Sequence, residues 1–267
     1  MCKTTILIVK TDRYIMENEL ILGLDVSTHC IGITVALDTG SDLKILQVTH
    51  IRPKVPSKIK GTEALFLKSK VFADEIRSKY ADYGITTVVI EEPLFASQNQ
   101  MTVSTLLRFN GMISQSIYDI LGVVPQYISS YDARKYGFPE LMAVRKYNKA
   151  GNEYDAKHIR KALKKKELVL FGEYPWDCAK KLILWNKISE MYPEIQWVYN
   201  NKGELKNENF DASDSLVCVL GYLGKQKYGD TEPEIGEYKE KTIDNATVFT
   251  YNSLFCGKEY NKEIILS

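Results

Sequence analysis

Residues 20–37 read Leu-Ile-Leu-Gly-Leu-Asp-Val-Ser-Thr-His-Cys-Ile-Gly-Ile-Thr-Val-Ala-Leu. The apolar runs at 20–26 and 31–37 each predict a buried β-strand. Only residues 27–30 separate the two runs, so we expect a tight turn between antiparallel neighbours. Asp25 lies at the end of the first run, where a carboxylate is costly to desolvate unless it is paired or binds a metal. The stretch therefore predicts a sheet that carries an acid of special role at one strand end.

The rest of the chain alternates between strand and helix patterns. The run from Ile85 to Ile90 is apolar on both faces, which is typical of a central parallel strand. Further strands are predicted at 43–51, 85–90 and 123–128, and helices at 62–80 with Thr62 as N-cap, 100–121 after Asn99, 155–166 after Asp155, from Asp177 onward, and 211–223. This order predicts an α/β fold, in which a mixed sheet of three antiparallel strands followed by parallel strands is flanked by helices.

Three more acids stand at comparable boundaries. Glu91 ends the run Val88-Val89-Ile90, while Asp211 and Asp214 open the last predicted helix. Their i,i+3 spacing puts the two aspartates on one helical face. If these segments converge with Asp25, the carboxylates make an oxygen-rich site suited to Mg2+ or Mn2+. The set therefore points to metal-dependent phosphoryl chemistry.

Each acid also has a structural interpretation. Asp25 could be a turn or capping carboxylate, and Glu91 an ordinary charge at a strand end. Asp211 fits a helix N-cap, and Asp214 fits a first-turn residue favoured by the helix dipole. Two acids at this spacing alone are more often structural, so the ordered set of four carries the functional interpretation.

Charge is distributed unevenly along the chain. The net charge is +1, yet residues 140–187 contain 12 Lys or Arg against 6 Asp or Glu, a local net of +6 that leaves −5 for the remainder. Within this stretch the helix at 155–166 places Ile159 and Leu163 on one side and its basic residues largely elsewhere. Such a helix could follow a phosphate backbone or simply present a solvated face. The candidate DNA-binding residues are Lys157, Arg160, Lys161, Lys164 and Lys165.

Composition excludes several classes of protein. The five cysteines are scattered, odd in number and without CxxC spacing, which disfavours a disulfide framework or a zinc site and indicates a reducing compartment. No apolar run approaches the ~18 residues that a membrane span needs. The start of the chain lacks the layout of a signal peptide. We therefore expect a cytoplasmic protein that does not contact membranes.

Taken in order, these motifs resemble the RuvC-like Holliday-junction resolvases of the RNase H-like nuclease superfamily. The resemblance covers roughly 20–137 and 177–223. It rests on Gly23-Leu24-Asp25-Val26-Ser27-Thr28, Val89-Ile90-Glu91, Phe95-Ala96-Ser97-Gln98-Asn99 with the helix leading to Gly111, and Asp211-Ala212-Ser213-Asp214-Ser215-Leu216. The basic insertion at about 138–176 suggests a viral or mobile-element branch, and host-cell cytoplasm is the expected location of a viral member.

The resemblance implies an RNase H-like fold, branched DNA as substrate, a homodimer, and phosphodiester hydrolysis with two Mg2+ (or Mn2+) ions per active site. It gives the role of metal ligand to four acids and that of basic catalytic residue to a lysine. Lys181 is preferred over Lys180, because it places the apolar positions that follow in better helical register. Glu91 is preferred over Glu92, because loops absorb an extra residue more readily than central strands do. Phe95 could stack on an unpaired base or pack in the core. The implied catalytic residues are Asp25, Glu91, Asp211, Asp214 and Lys181.

Other functions stay open at this point. The chain could be another RNase H-like nuclease, acting on RNA–DNA hybrids or flaps, or a non-catalytic DNA-binding or virion protein that retains the fold. An ATPase of the actin and chaperone type would need a second glycine-rich phosphate loop, which the sequence lacks. We divide the chain into an N-terminal extension at 1–19, a nuclease domain at 20–224 and a C-terminal tail of uncertain structure at 225–267.

Overall fold

The computed structural model describes residues 18–93, 99–141, 144–145, 152–165, 173–174 and 179–266. Phe95, the predicted helix start at Asp177 and most of the predicted N-terminal extension lie outside these residues. No helix among them is both long and apolar enough to span a bilayer. Three of the cysteines, Cys30, Cys218 and Cys256, are described, and they are buried free thiols.

A five-stranded mixed sheet forms the centre of the molecule. Its strands are β1 (Glu19–Val26), β2 (Ile31–Asp38), β3 (Leu43–Ile51), β4 (Thr87–Glu91) and β5 (Gln126–Ile128). They lie in the order β3-β2-β1-β4-β5. The first three are antiparallel, and β4 and β5 run parallel to β1. This arrangement confirms the predicted α/β class and its RNase H-like sheet.

Among the described residues, five helices cover the two faces of this sheet. The helices are α1 (Gly61–Tyr80), α2 (Gln100–Leu121), α3 (Ser130–Gly137), α5 (Lys180–Met191) and α6 (Glu208–Tyr228), with a 3-10 turn at Pro139–Leu141, and α4 (Ala156–Lys165) packs elsewhere, on the C-terminal strands. One core holds apolar residues of α1 and α2 against the sheet, and a second core holds those of α3, α5 and α6 against the opposite face. Asn99 caps α2 as predicted, accepting a hydrogen bond from the Thr102 N–H at 3.2 Å. Thr62 is not a cap, because α1 begins one residue earlier, after Lys60.

The C-terminal segment contains more structure than the sequence indicated. Strands β8 (Glu234–Ile243), β9 (Ala246–Phe255) and β10 (Lys258–Leu266) form a separate antiparallel sheet in the order β10-β9-β8. The two-residue strands β6 (Val144–Arg145) and β7 (Glu173–Tyr174) pair in parallel between α3 and α5. Helix α6 continues to Tyr228, beyond the boundary predicted at 224.

Candidate functional site

The alternation of side chains along β1 and β4 determines which acids meet. Ile21 and Val89 pack in the core beneath α6, whereas Leu24 and Ile90 pack in the core of α1 and α2. Because successive strand residues point to opposite faces, Asp25 and Glu91 both lie on the α6 face and Glu92 does not. The parallel register pairs Leu24 with Ile90, so the two acids are neighbours at the carboxyl ends of adjacent strands.

Two glycines let α6 approach this strand edge. A Cβ atom at Gly32 would lie 1.9 Å from the backbone oxygen of Asp211, and one at Gly23 would lie 2.5 Å from the backbone oxygen of Ser215. Any side chain at either position would therefore push the helix off the sheet. A buried hydrogen bond of 2.8 Å between the Thr34 and Ser215 hydroxyls fixes the same contact. The close approach brings the first turns of α6 to the ends of β1 and β4.

The pKa values report how crowded the carboxylates are. Burial raises the pKa of Asp25 well above its usual range, and the negative charges of Glu91, Asp214 and Asp211 raise it further. Burial also raises the pKa of Glu91 to about 7, with Asp214 adding to the effect and Arg134 opposing it. Acids from three separate segments therefore lie close enough together to act on the pKa of Asp25.

Two cations approach the cluster through Asp214. The carboxylate of this 7% exposed residue lies 3.7 Å from the Lys181 ammonium and 3.8 Å from the Arg134 guanidinium. Burial raises the pKa of Asp214, and both cations act against that rise. Lys181 belongs to α5 and Arg134 to α3, so three helices meet here. Lys181 thus lies beside the acid that the sequence placed in the same site.

Asp211 occupies the opposite side of the cluster. It lies inside the first turn of α6, whose N-cap is Asn207, so the N-cap interpretation of Asp211 is wrong. The Cys30 thiol from the β1–β2 turn hydrogen-bonds its carboxylate, and burial together with this bond raises the pKa of Cys30. Arg52 forms an ion pair with Glu208 at the start of the same helix. The first turn of α6 is thereby tied to both β2 and β3.

The donor set suits a hard divalent cation. Four carboxylates face two nearby cations, and oxygen donors with excess negative charge are what Mg2+ and Mn2+ prefer. Across the residues that the structure describes, no three Asp, Glu, His or Cys side chains already enclose a metal position. The four acids are brought near one another without enclosing such a position. Asp25, Glu91, Asp211 and Asp214 are the residues that could hold a metal ion.

The predicted DNA-binding residues of α4 differ in their surroundings. Arg160 forms two hydrogen bonds with Glu240 of β8, at 2.8 and 2.6 Å. Lys157, Lys161 and Lys164 are exposed. Lys165 ends the helix, and its side chain, like all of Phe95, lies outside what the structure describes. Arg160 is therefore engaged within the protein, in contrast to the three lysines.

Sequence reasoning missed Arg134 and Cys30. Arg134 lies in α3, a helix of eight residues that was not predicted. Its apolar residues are too few for a helical period, so no pattern separated it from a loop. Cys30 was counted only as one of five scattered cysteines, although its position directly after His29 in the β1–β2 turn was a signal that it lies near Asp25.

No family model matches this chain, and no curated protein matches it. Solved structures show a distant likeness. Thermus thermophilus RuvC in complex with Holliday junction substrate is 10% identical, covering 81% of this chain and 99% of that chain with a TM-score of 0.45. An Aquifex aeolicus PPX-GPPA enzyme is 10% identical (81% and 94%, TM-score 0.34), and the human cytomegalovirus terminase nuclease domain is 12% identical (82% and 88%, TM-score 0.33). Likeness this distant does not distinguish among the activities of these proteins.

Proposed function

We propose that this chain is a metal-dependent endonuclease that hydrolyses phosphodiester bonds in branched DNA, with four-way junctions as the preferred substrate. The observation that carries the proposal is the convergence of Asp25, Glu91, Asp211 and Asp214 from three segments onto one edge of the sheet. The raised pKa values of Asp25, Glu91 and Asp214 show that gathering these carboxylates costs stability. Binding of a cation would offset that cost and would supply the charge that metal-dependent phosphodiester hydrolysis uses.

The residues divide this task between them. Asp25 lies beside Glu91 at the strand ends that α6 approaches, and these two acids together with the α6 aspartates Asp211 and Asp214 would hold the cations. Bound Mg2+ or Mn2+ ions, two per active site, would activate the attacking water and stabilise the leaving oxygen. Lys181 is held 3.7 Å from Asp214, where its charge can stabilise negative charge that develops on the phosphate.

Arg134 has a related role in the proposal. Its guanidinium lies 3.8 Å from Asp214 and its side chain is 39% exposed, so it can contact both the acid and an incoming phosphate. The branched substrate is inferred from the ordered motifs that resemble the junction resolvases, not from the acid cluster. Symmetric cutting of a four-way junction requires two active sites, so the proposal includes a two-fold homodimer.

The test is a cleavage panel with purified full-length protein in Mg2+. Labelled four-way junction, linear duplex, flap and RNA–DNA hybrid are incubated with wild type and with Asp25→Asn. We expect wild type to cut the junction fastest and Asp25→Asn to cut nothing while keeping its thermal unfolding temperature. Cutting by Asp25→Asn at the wild-type rate would refute the metal site. Faster cutting of the hybrid or the flap would support a nuclease activity but would show that the four-way junction is not the preferred substrate.

A further inference from the structure

Helix α4 and the C-terminal sheet form one structural unit, although about 70 residues separate them along the chain. Ile159 and Leu163 of α4 are 0% and 3% exposed and share a core with Phe249 of β9 and Ile264 of β10. The basic insertion and the tail are therefore two halves of a single module. We call α4 together with β8–β10 the α4–sheet module.

An ion pair fixes the rotation of α4 on this sheet. Arg160 donates two hydrogen bonds to the carboxylate of Glu240, one from Nε and one from a terminal nitrogen. Such bidentate pairs hold a definite geometry. Asp155 adds a cap by accepting a hydrogen bond from the His158 N–H at 2.7 Å. The helix is thus held at its apolar side, at its N-terminus and along the Arg160 edge.

The side of α4 that remains open carries only basic charge. Lys157, Lys161 and Lys164 are spaced i, i+4 and i+7, so they line one stripe about 10 Å long at 1.5 Å per residue. All three are exposed, and within the described part of the chain none forms an ion pair. Glu240, the acid of β8 that contacts α4, is already paired with Arg160. The stripe therefore presents three uncompensated positive charges.

The α4–sheet module is also anchored to the helix that reaches the acid cluster. Phe255 of β9 packs against Tyr136 of α3 with ring centroids 5.6 Å apart. Lys135 of α3 pairs with Glu232, just before β8, at 3.0 Å. The residue before Lys135 is Arg134, which contacts Asp214. The lysine stripe is thus attached to the same short helix that supplies a cation to the proposed active site.

We propose that the stripe of Lys157, Lys161 and Lys164 binds the phosphate backbone of a nucleic-acid arm, and that Arg160 anchors the helix instead of contacting the nucleic acid. Three exposed ammonium groups along one ridge fit a polyanion with regularly spaced phosphates. The inference deepens the proposed function by adding a second contact to the same substrate. It is tested by binding alone, so it does not depend on cleavage.

The experiment compares two pairs of lysines in the same module. Lys161→Gln/Lys164→Gln removes two charges from the stripe. Lys239→Gln/Lys241→Gln removes two from β8, where the residues flank Glu240 and therefore point away from α4. Full-length protein is titrated with labelled four-way junction and with duplex, without divalent metal, over a range of salt concentrations.

For the α4 pair we expect roughly tenfold weaker binding and a salt slope reduced by up to about 1.8, or about 0.9 for each lost phosphate contact. The β8 pair should bind as wild type does. An unchanged affinity and slope in the α4 pair, or an equal loss in both pairs, would overturn the proposal. Loss of cleavage with intact binding would instead count only against the proposed function.

A charge reversal tests the separate role of Arg160. Arg160→Glu combined with Glu240→Arg rebuilds the ion pair with its two charges exchanged. Arg160→Glu alone places two carboxylates next to each other. If Arg160 is an anchor, the double variant recovers the unfolding temperature and the affinity that the single variant loses. A double variant that unfolds at the wild-type temperature but binds as weakly as the single variant would show that Arg160 contacts the phosphate backbone.

Discussion

Two places in the part of the chain that the structure describes bury charge, and they do so in opposite ways. At the junction between α3 and the C-terminal sheet, Lys135 is 3% exposed, pairs with Glu232 at 3.0 Å and lies 5.2 Å from the centre of the Tyr136 ring. At the acid cluster, Asp25 and Glu91 gather beside two further carboxylates, and burial together with the charges of acidic neighbours raises the pKa of both. At the first site the buried charge has a partner of opposite sign, whereas the second site gathers several charges of the same sign.

The difference separates a structural role from a functional one. A buried ion with its partner and aromatic neighbours holds two elements together and needs nothing from outside. Crowded carboxylates destabilise the folded chain, and in the proposed function a cation relieves that crowding. Each of the following predictions removes or restores charge at one site and asks whether the two behave as differently as this comparison requires.

The largest effect is expected when one acid of the cluster is neutralised. Glu91→Gln removes a proposed metal ligand, so Mg2+-dependent junction cleavage should fall at least about 100-fold, a loss of about 2.7 kcal/mol in transition-state stabilisation. The same change relieves like-charge crowding, so the metal-free protein should unfold at a higher temperature than wild type. Cleavage kinetics and thermal unfolding in chelator measure the two quantities.

Glu92→Gln is the matched control, since it removes the same group one residue later on the opposite face of β4. It should alter neither cleavage nor unfolding temperature. Loss of cleavage in Glu92→Gln with normal activity in Glu91→Gln would show that the strand alignment chosen from the sequence is off by one residue.

The contrast between the two sites was only half visible in the sequence. Asp25 and Glu91 could be located because each ends an apolar run, and strand alternation then fixes the face on which each lies. Lys135 could not, because its partner Glu232 is 97 residues away and α3 has no clear helical period. The strand β8 was missed for a related reason: Ile235 is its one fully buried apolar residue, and only Tyr238 and Ile243 interrupt an otherwise polar sequence. The sequence of its partner helix α4 showed an apolar stripe, but it did not show which element of the fold that stripe packs against.

The second prediction concerns pH. The folded protein holds the Glu91 proton up to about pH 7, whereas the ordinary value for the unfolded chain is 4.5. Between these values the folded state binds more protons, so its stability falls as pH rises. In chelator, the unfolding temperature should drop by roughly 5 °C between about pH 5 and pH 8 through this group.

Excess Mg2+ should recover that drop at the higher pH and have little effect at the lower pH, because protonated acids do not bind the ion. Glu91→Gln should flatten the dependence, and Glu92→Gln should retain it. If Mg2+ raises the unfolding temperature equally at both pH values, the ion acts elsewhere and the acid cluster is not its site.

The smallest effect is expected at the satisfied site. Lys135→Met keeps the length and apolar contacts of the buried side chain and leaves Glu232, which is 79% exposed, free in water. Replacement of a buried ion pair by packed apolar atoms is often close to neutral, so we expect a change below about 1 kcal/mol in the free energy of unfolding. Glu232→Gln leaves the buried ammonium without a carboxylate and should cost more, about 1–2 kcal/mol.

Because neither residue belongs to the acid cluster, both variants should cut junctions at the wild-type rate when protein saturates the substrate. Denaturant unfolding of the two single variants and the double variant gives the ranking, and the double variant should match Lys135→Met alone. If Lys135→Met were the more damaging change, or if it slowed cleavage, the ammonium would be needed for more than packing, and the division between a structural charge and a functional cluster would not hold at α3.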